Sequence, residues 1–171
     1  MFLLLVFPPL LIAFLNWFFS PILKNSQFGR VFVENIDYSI ISATDANDTT
    51  IEVSIVIPAY NEEKRMKVMI DAGVDYFKKW KNIRNKTFEI IIVDDGSTDA
   101  TFDIAIQYQK ENLNFIRVVK LVRNLGKAGA VKIGVDVAIG KYILMVDADG
   151  ATDINDFDSL YSILQGQSLE K

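Results

Sequence analysis

Apolar positions follow two different periods along this chain. From Ile51 onward, short runs of β-branched residues alternate with longer stretches in which apolar side chains recur every three or four positions. The runs are Val53-Ser54-Ile55-Val56-Ile57, Ile90-Ile91-Ile92-Val93, Phe115-Ile116-Arg117-Val118-Val119 and Tyr142-Ile143-Leu144-Met145-Val146. The unbroken hydrophobicity, clearest in the second and fourth, predicts strands buried on both faces, as in a parallel sheet. Pro58 lacks an N–H for a ladder bond and is expected to end the first strand. Met66, Ile70, Val74 and Phe77 mark the packed face of a first helix, with Glu62 and Glu63 expected in its first turn, where free N–H groups favour acids. Phe102, Ala105, Ile106 and Tyr108 mark a second helix. Val131, Gly134, Val135 and Ala138 mark a third, after a loop from Arg123 to Ala130, and a last helix is expected from about Asp153 to Leu164, capped by Gly166. The order βαβαβαβ predicts an α/β fold, a doubly wound, mostly parallel sheet with right-handed crossovers.

The first part of the chain follows neither period. Residues 1–23 carry no charged side chain and are mainly Leu, Phe, Ile and Val. A helix needs roughly 20 such residues to cross the hydrocarbon core. With no basic residue ahead of it and no small-x-small cleavage site, a retained single-span anchor is expected rather than a cleaved signal peptide or a buried helix, although Pro8, Pro9 and Asn16 interrupt the pattern. Lys24 and Arg30 follow the stretch, a charge bias that places what comes after it on the cytosolic side. Residues 24–50 read as a juxtamembrane linker with one short amphipathic piece around residues 31–33, and the domain is expected over residues 51–171. Asn47-Asp48-Thr49 and Asn85-Lys86-Thr87 match the glycan acceptor pattern and would stay unmodified in that orientation.

Composition narrows the chemistry. The 171 residues hold 18 Lys and Arg against 22 Asp and Glu, a net charge of −4, which offers no basic surface to a nucleic acid. Cysteine and histidine are both absent. That excludes a disulfide framework, a Cys-based zinc site and a His-assisted nucleophile. Acid–base or metal chemistry therefore falls to Asp, Glu, Lys, Arg or Tyr.

Two of the strands run directly into acids. Asp94-Asp95-Gly96 follows Ile90–Val93, and Asp147-Ala148-Asp149-Gly150 follows Tyr142–Val146. Ligands of open α/β sheets sit beyond the carboxyl ends of strands, so these acids are badly placed for stability and well placed for a polar ligand. Asp147 and Asp149, at alternate positions around a small Ala148, can reach one hard cation, Mg²⁺ or Mn²⁺, together with ligand phosphates. The competing reading is a surface turn with solvated acids. One of Asp94 and Asp95 can accept from a base N–H or a ribose hydroxyl while the other orients the turn, and Ser97 or Thr98 can cap the next helix. Tyr60 offers an aromatic face for a base or else packs in the core; Glu62 is otherwise a simple helix-start acid. Lys127 and Arg123, in a glycine-bearing loop before a helix, can meet phosphates or be solvated. The first strand is not followed by the G-x-G-x-x-G dinucleotide fingerprint, and Gly126-Lys127-Ala128-Gly129 lacks the spacing of a P-loop.

Val56-Ile57-Pro58-Ala59-Tyr60-Asn61-Glu62-Glu63-Lys64-Arg65, Ile91-Ile92-Val93-Asp94-Asp95-Gly96-Ser97-Thr98-Asp99, Asn124-Leu125-Gly126-Lys127-Ala128-Gly129-Ala130 and Asp147-Ala148-Asp149-Gly150-Ala151-Thr152 together resemble the family 2 glycosyltransferases of the GT-A fold. Asp149-Gly150-Ala151-Thr152 points within them to the branch that forms dolichyl β-D-glucosyl phosphate rather than to the mannosyl branch. The resemblance covers roughly residues 52–157. It implies transfer of glucose from UDP-glucose to dolichyl phosphate with inversion, at the cytosolic face of the endoplasmic reticulum membrane, for assembly of the N-glycan precursor. It also implies that Pro58, Tyr60, Glu62 and Asp94 line the uridine pocket, and that Asp147 and Asp149 hold the divalent cation and diphosphate with Lys127 nearby. Members of the family continue well past the Asp-x-Asp motif into acceptor-binding elements. The expectation is therefore that these residues supply the nucleotide half of a site and do not catalyse alone. Three alternatives stand beside this reading: a mannosyl or polyprenyl-phosphate transferase of the same family, a membrane-tethered module that binds a UDP-sugar without turnover, and an oxidoreductase, which the missing glycine fingerprint opposes.

Overall fold

The computed structural model describes residues 2–5, 38–41 and 51–166. Its frame is a six-stranded sheet made of β1 (Phe2–Leu5), β2 (Tyr38–Ile41), β3 (Ile51–Ala59), β4 (Thr87–Asp94), β5 (Ile116–Leu121) and β6 (Tyr142–Met145), in the spatial order β1-β6-β3-β4-β5-β2. All neighbours are parallel except β2, which runs antiparallel along the edge of β5. The helices are α1 (Met66–Arg84), α2 (Thr101–Glu111), α3 (Gly126–Val137) and α4 (Phe157–Leu164).

The connections explain where each helix lies. From β3 to β4 to β5 the chain moves one way along the sheet, then crosses back past β3 to β6. Right-handed crossovers place α1 and α2 on one face and turn α3 to the other. Strands β3 to β6 are accordingly buried on both sides. Ile55, Ile57, Ile90, Ile92, Val118 and Leu144 face α1, α2 and α4, while Val56, Ile91, Val93, Val119 and Ile143 face α3. The first face is filled by an aromatic cluster in which Phe77 lies 5.1 Å from Phe157 and 5.4 Å from Phe88, ring centroid to ring centroid. On the second, α3 settles close to the sheet at Gly134, where a Cβ would lie 2.3 Å from Val56 Cγ1.

Below the C-terminus of α3 that second face is polar. Ser54, Glu89 and Arg117 point to the same side as Val56, Ile91 and Val119, and all three are buried. Glu89 accepts from the Ser54 hydroxyl at 2.5 Å, from Arg117 at 2.8 Å and from the Ile139 amide at 3.0 Å. Arg117 also donates to the Val137 carbonyl, and Ser54 Oγ accepts from the Gly140 amide. A buried ion pair thus takes up an unpaired carbonyl at the end of α3 and holds the link to β6. Nothing in the hydrophobic periodicity announced it.

Several expected boundaries move. Pro58 does not end β3; it lies within the strand, opposite Val93. Val56 accepts from Val146 on the β6 side and Ala59 accepts from Asp95 on the β4 side, so strand parity turns the proline nitrogen toward β6. Pairing with β6 has already ended at Val56, and no ladder bond is lost. Glu62 and Glu63 precede α1 rather than forming its first turn, which holds no acid. The expected loop through Ala130 is already helical from Gly126, and the last helix begins as a 3₁₀ turn at Ile154–Asp156 before α4.

The expected anchor and linker, residues 1–23 and 24–50, lie mostly outside the described residues. Phe2–Leu5 pairs with β6, and Tyr38–Ile41, within the expected linker, pairs with β5. Among the described residues no helix is long and apolar enough to cross a membrane.

Candidate functional site

The direction of strand order reverses between β3 and β6, so the crevice above their carboxyl ends is the topological switch point, the usual ligand position in such sheets. The loops after β3, β4, β5 and β6 all emerge at this rim.

The β3 and β4 loops are laced together. Asn61 adopts a left-handed φ of 54°, donates its amide to Ser97 Oγ at 3.0 Å, and accepts from the Thr98 amide at 2.9 Å. The Glu62 amide donates to Thr101 Oγ1 at 2.7 Å, the Glu63 amide to Asp99 at 3.2 Å, and the Ala100 amide returns to Glu63 Oε2. Burial opposes ionisation of Asp99, but hydrogen bonds from Thr101 and from the Glu63 amide outweigh it and hold this carboxyl below its ordinary range. Asn61 and Asp99 stand in the stretches that carry the family resemblance, but nothing in the sequence gave them or Thr101 this tying role. Their side chains hold backbone to backbone, and that work depends on loop proximity rather than on any spacing along the chain.

Within this frame the two acids after β4 divide their duties. Asp95 Oδ1 accepts from the Leu125 amide at 2.7 Å, tying the turn to the loop before α3, and burial pushes its carboxyl above the ordinary range. Gly96 packs so tightly here that a Cβ would lie 2.7 Å from the Arg123 carbonyl carbon. Asp94 is fully buried; Oδ1 accepts from the Ser97 amide at 3.3 Å, while Oδ2 has no partner among the described residues. Leaving a buried acceptor unpaired costs about 1–3 kcal/mol, so this oxygen is prepared for an incoming donor. Tyr60, next to the buried end of β3, is 45% exposed; its ring lies at the rim and not in the core.

The acids after β6 meet two cations. Lys127, in the first turn of α3, reaches Asp147 Oδ1 at 2.5 Å, across the chain from β5 to β6. Arg65 Nη1 lies 4.0 Å from Asp149 Oδ2, and the same guanidinium grips Glu62 through Nε at 2.8 Å and Nη2 at 2.7 Å. Ala148 is buried between the two acids, as its small size allows. Among the described residues no three acidic side chains gather around one point to hold a metal ion. Two carboxylates that already attract cations fit a divalent ion whose other ligands are phosphate oxygens and water.

Asp94, Asp147, Asp149, Lys127, Tyr60 and Glu62 are thus brought to one strand rim, as are Pro58 and Asp95, the first within a strand and the second as a structural tie. The family model described as Glycosyl transferase family 2 matches residues 54–167, which includes all of them. The chain belongs to this family. Among curated proteins, this family 2 chain is 49% identical over 113 residues to a mouse protein named dolichyl-phosphate beta-glucosyltransferase, covering 65% of the chain and 35% of the relative. Proteins of the same name from Drosophila melanogaster and Saccharomyces cerevisiae are 36% and 41% identical, with 82% and 67% of the chain and 44% and 34% of the relatives covered. The chain therefore spans about a third to somewhat under half of these relatives. Among solved structures, S. aureus TarS residues 1–349 in complex with UDP matches with a TM-score of 0.54 at 27% identity, over 67% of this chain and 32% of that one.

Proposed function

We propose that this chain is the donor-binding part of a GT-A glycosyltransferase that moves glucose from UDP-glucose to dolichyl phosphate. The observation that carries the reading is the partnerless, buried Asp94 oxygen standing one strand away from the crevice where Asp147 and Asp149 meet Lys127 and Arg65. A nucleoside diphosphate sugar supplies both complements, base or ribose donors for Asp94 and an anionic diphosphate for the cations. The name shared by the mouse, fly and yeast relatives favours glucose and dolichyl phosphate over other pairs.

In this reading Tyr60 stacks on the uracil, Pro58 stiffens the end of β3 beneath it, and Asp94 takes a donor from the uridine once the rim side chains part. Asp147 and Asp149 would hold Mg²⁺ or Mn²⁺, which when bound offsets charge on the departing diphosphate. Lys127, released from Asp147, can follow the same phosphates. A phosphate oxygen of the lipid attacks the glucose anomeric carbon from the face opposite UDP; the bond from that carbon to the diphosphate oxygen breaks, UDP leaves and the configuration inverts. The acceptor is already ionised at neutral pH, so a chain without histidine needs no base to activate it. An anchor over the apolar residues 1–23 would require Phe2–Leu5 to leave the edge of β6 for the bilayer; it would then hold the domain at the endoplasmic reticulum membrane, with Lys24 and Arg30 keeping it cytosolic, and would raise the effective concentration of a lipid acceptor.

The test is calorimetric binding of UDP-glucose and GDP-mannose to the detergent-solubilised chain with and without Mn²⁺. Metal-dependent preference for UDP-glucose, lost in Asp147→Asn and Asp149→Asn, supports the reading; preference for GDP-mannose overturns the choice of sugar. A glycan on Asn47 or Asn85 would overturn the orientation.

A further inference from the structure

Arg65 closes the first of the stretches that carry the family resemblance, but the sequence assigned it no role; in the structure its guanidinium reaches from Glu62 toward Asp149. Two of its three nitrogens, Nε and Nη2, form a two-pronged contact with the Glu62 carboxylate. The third, Nη1, is the atom that lies 4.0 Å from Asp149 Oδ2. The Glu62 side chain is 14% exposed and that of Arg65 57%, so a largely buried acid fixes a cation that keeps access to solvent and to the crevice. Both Glu62 oxygens are engaged, and the local chain supports the arrangement, because the Glu62 carbonyl accepts from the Arg65 and Met66 amides at the start of α1.

We propose that Arg65 is a contact for the donor's diphosphate, positioned by Glu62, and that without donor it neutralises Asp149. The inference rests on the donor-binding reading above and deepens it. An anionic diphosphate approaching Asp147 and Asp149 meets two carboxylates of its own sign. Lys127 offsets the first and Arg65 the second. With Asp149 engaged by a divalent cation, Nη1 would be free of it while Nε and Nη2 keep Glu62, and its N–H groups would be open to a phosphate oxygen. The planar guanidinium can serve a carboxylate on one edge and a phosphate on another, which an ammonium cannot do. Glu62 then contributes through Arg65 and not through the uridine itself.

Uridine and UDP separate these roles. Binding to the solubilised full chain in Mn²⁺ is measured for wild type, Arg65→Gln, Arg65→Lys, Glu62→Gln and Asp149→Asn, with folding followed by circular dichroism. Arg65→Gln is expected to weaken UDP about tenfold, the scale of one charge-assisted hydrogen bond, and to leave uridine unchanged. Arg65→Lys should recover only part of the loss, and Glu62→Gln should weaken UDP but not uridine. Mn²⁺ alone, followed by loss of the free-ion paramagnetic resonance signal, should bind Arg65→Gln more tightly than wild type. If UDP binding is unaffected by Arg65→Gln, or falls in step with uridine, the role is wrong. If Asp149→Asn abolishes metal-dependent UDP binding in that case, the donor site stands without it. If Asp149→Asn leaves that binding intact, the donor reading and the Arg65 role fall together.

Discussion

The Asp95 carboxylate accepts a hydrogen bond from the Leu125 amide at 2.7 Å, and this one contact binds the turn after β4 to the loop that begins α3. Asp94 before it and Lys127 after the loop are the groups offered to a ligand, so the tie sets the distance between two parts of the site. Asp95→Ala leaves the Leu125 amide without its acceptor and should cost about 1–3 kcal/mol in urea unfolding. Asp95→Asn keeps an acceptor oxygen and should cost less. The burial that raises this carboxyl makes its ionised form unfavourable in the fold, so its contribution weakens as pH rises from 3.8 through the folded value. Asp95→Asn should flatten that part of the stability–pH curve.

Gly134 admits α3 to the sheet. Alanine is the better helix former by about 1 kcal/mol, yet its Cβ would sit 2.3 Å from Val56 Cγ1 and 3.1 Å from Val93 Cγ2. Both neighbours are buried, β-branched and held in strands. Gly134→Ala should therefore lower stability, and Gly134→Val should lower it further, by about 1–3 kcal/mol in thermal or urea unfolding.

The Glu89–Arg117 pair is 2.8 Å long, with side chains 1% and 5% exposed. Arg117→Met would strand a buried carboxylate and free the Val137 carbonyl, and should destabilise by about 3–5 kcal/mol. Glu89→Gln with Arg117→Met together should recover part of this loss, because the amide still accepts from Ser54 and Ile139 without a buried charge. A double-mutant cycle measured by urea unfolding checks the coupling.

Arg84 holds α4 on α1 through Asp158, with contacts of 2.9 and 2.6 Å, and Trp80 Nε1 adds a third at 3.2 Å. The hydrogen bond from Arg84 keeps the Asp158 carboxyl below its ordinary 3.8. A depressed acid stabilises the fold above its unfolded value, and that gain is lost as pH falls through the folded value. Asp158→Asn should remove part of the acid sensitivity of unfolding below about pH 4. Because the carboxylate side chain is 43% exposed, the effect should be modest and should shrink in high salt.

Local pattern was enough to read the alternation of strands and helices, the burial of β4 on both faces, and the acid pairs at the ends of β4 and β6. Each of these follows from local period and from residues next to one another. Tyr60 at the rim and Lys127 beside Asp147 were legible as candidates, though each had a competing reading. Tertiary structure alone decided that Asp94 would keep an unpartnered oxygen while Asp95 became a tie, because that division depends on where Ser97 and Leu125 come to lie. It also decided that Pro58 could remain in β3, since the side toward which its nitrogen turns follows from how far β6 extends. The Ser54–Glu89–Arg117 cluster and the span from Glu62 through Arg65 to Asp149 were hidden for the same reason. Their partners stand 28 to 35 residues apart in the first and lie on separate strand-end loops in the second. A pattern of single positions records which side chains are polar, and only the packed sheet records which of them meet.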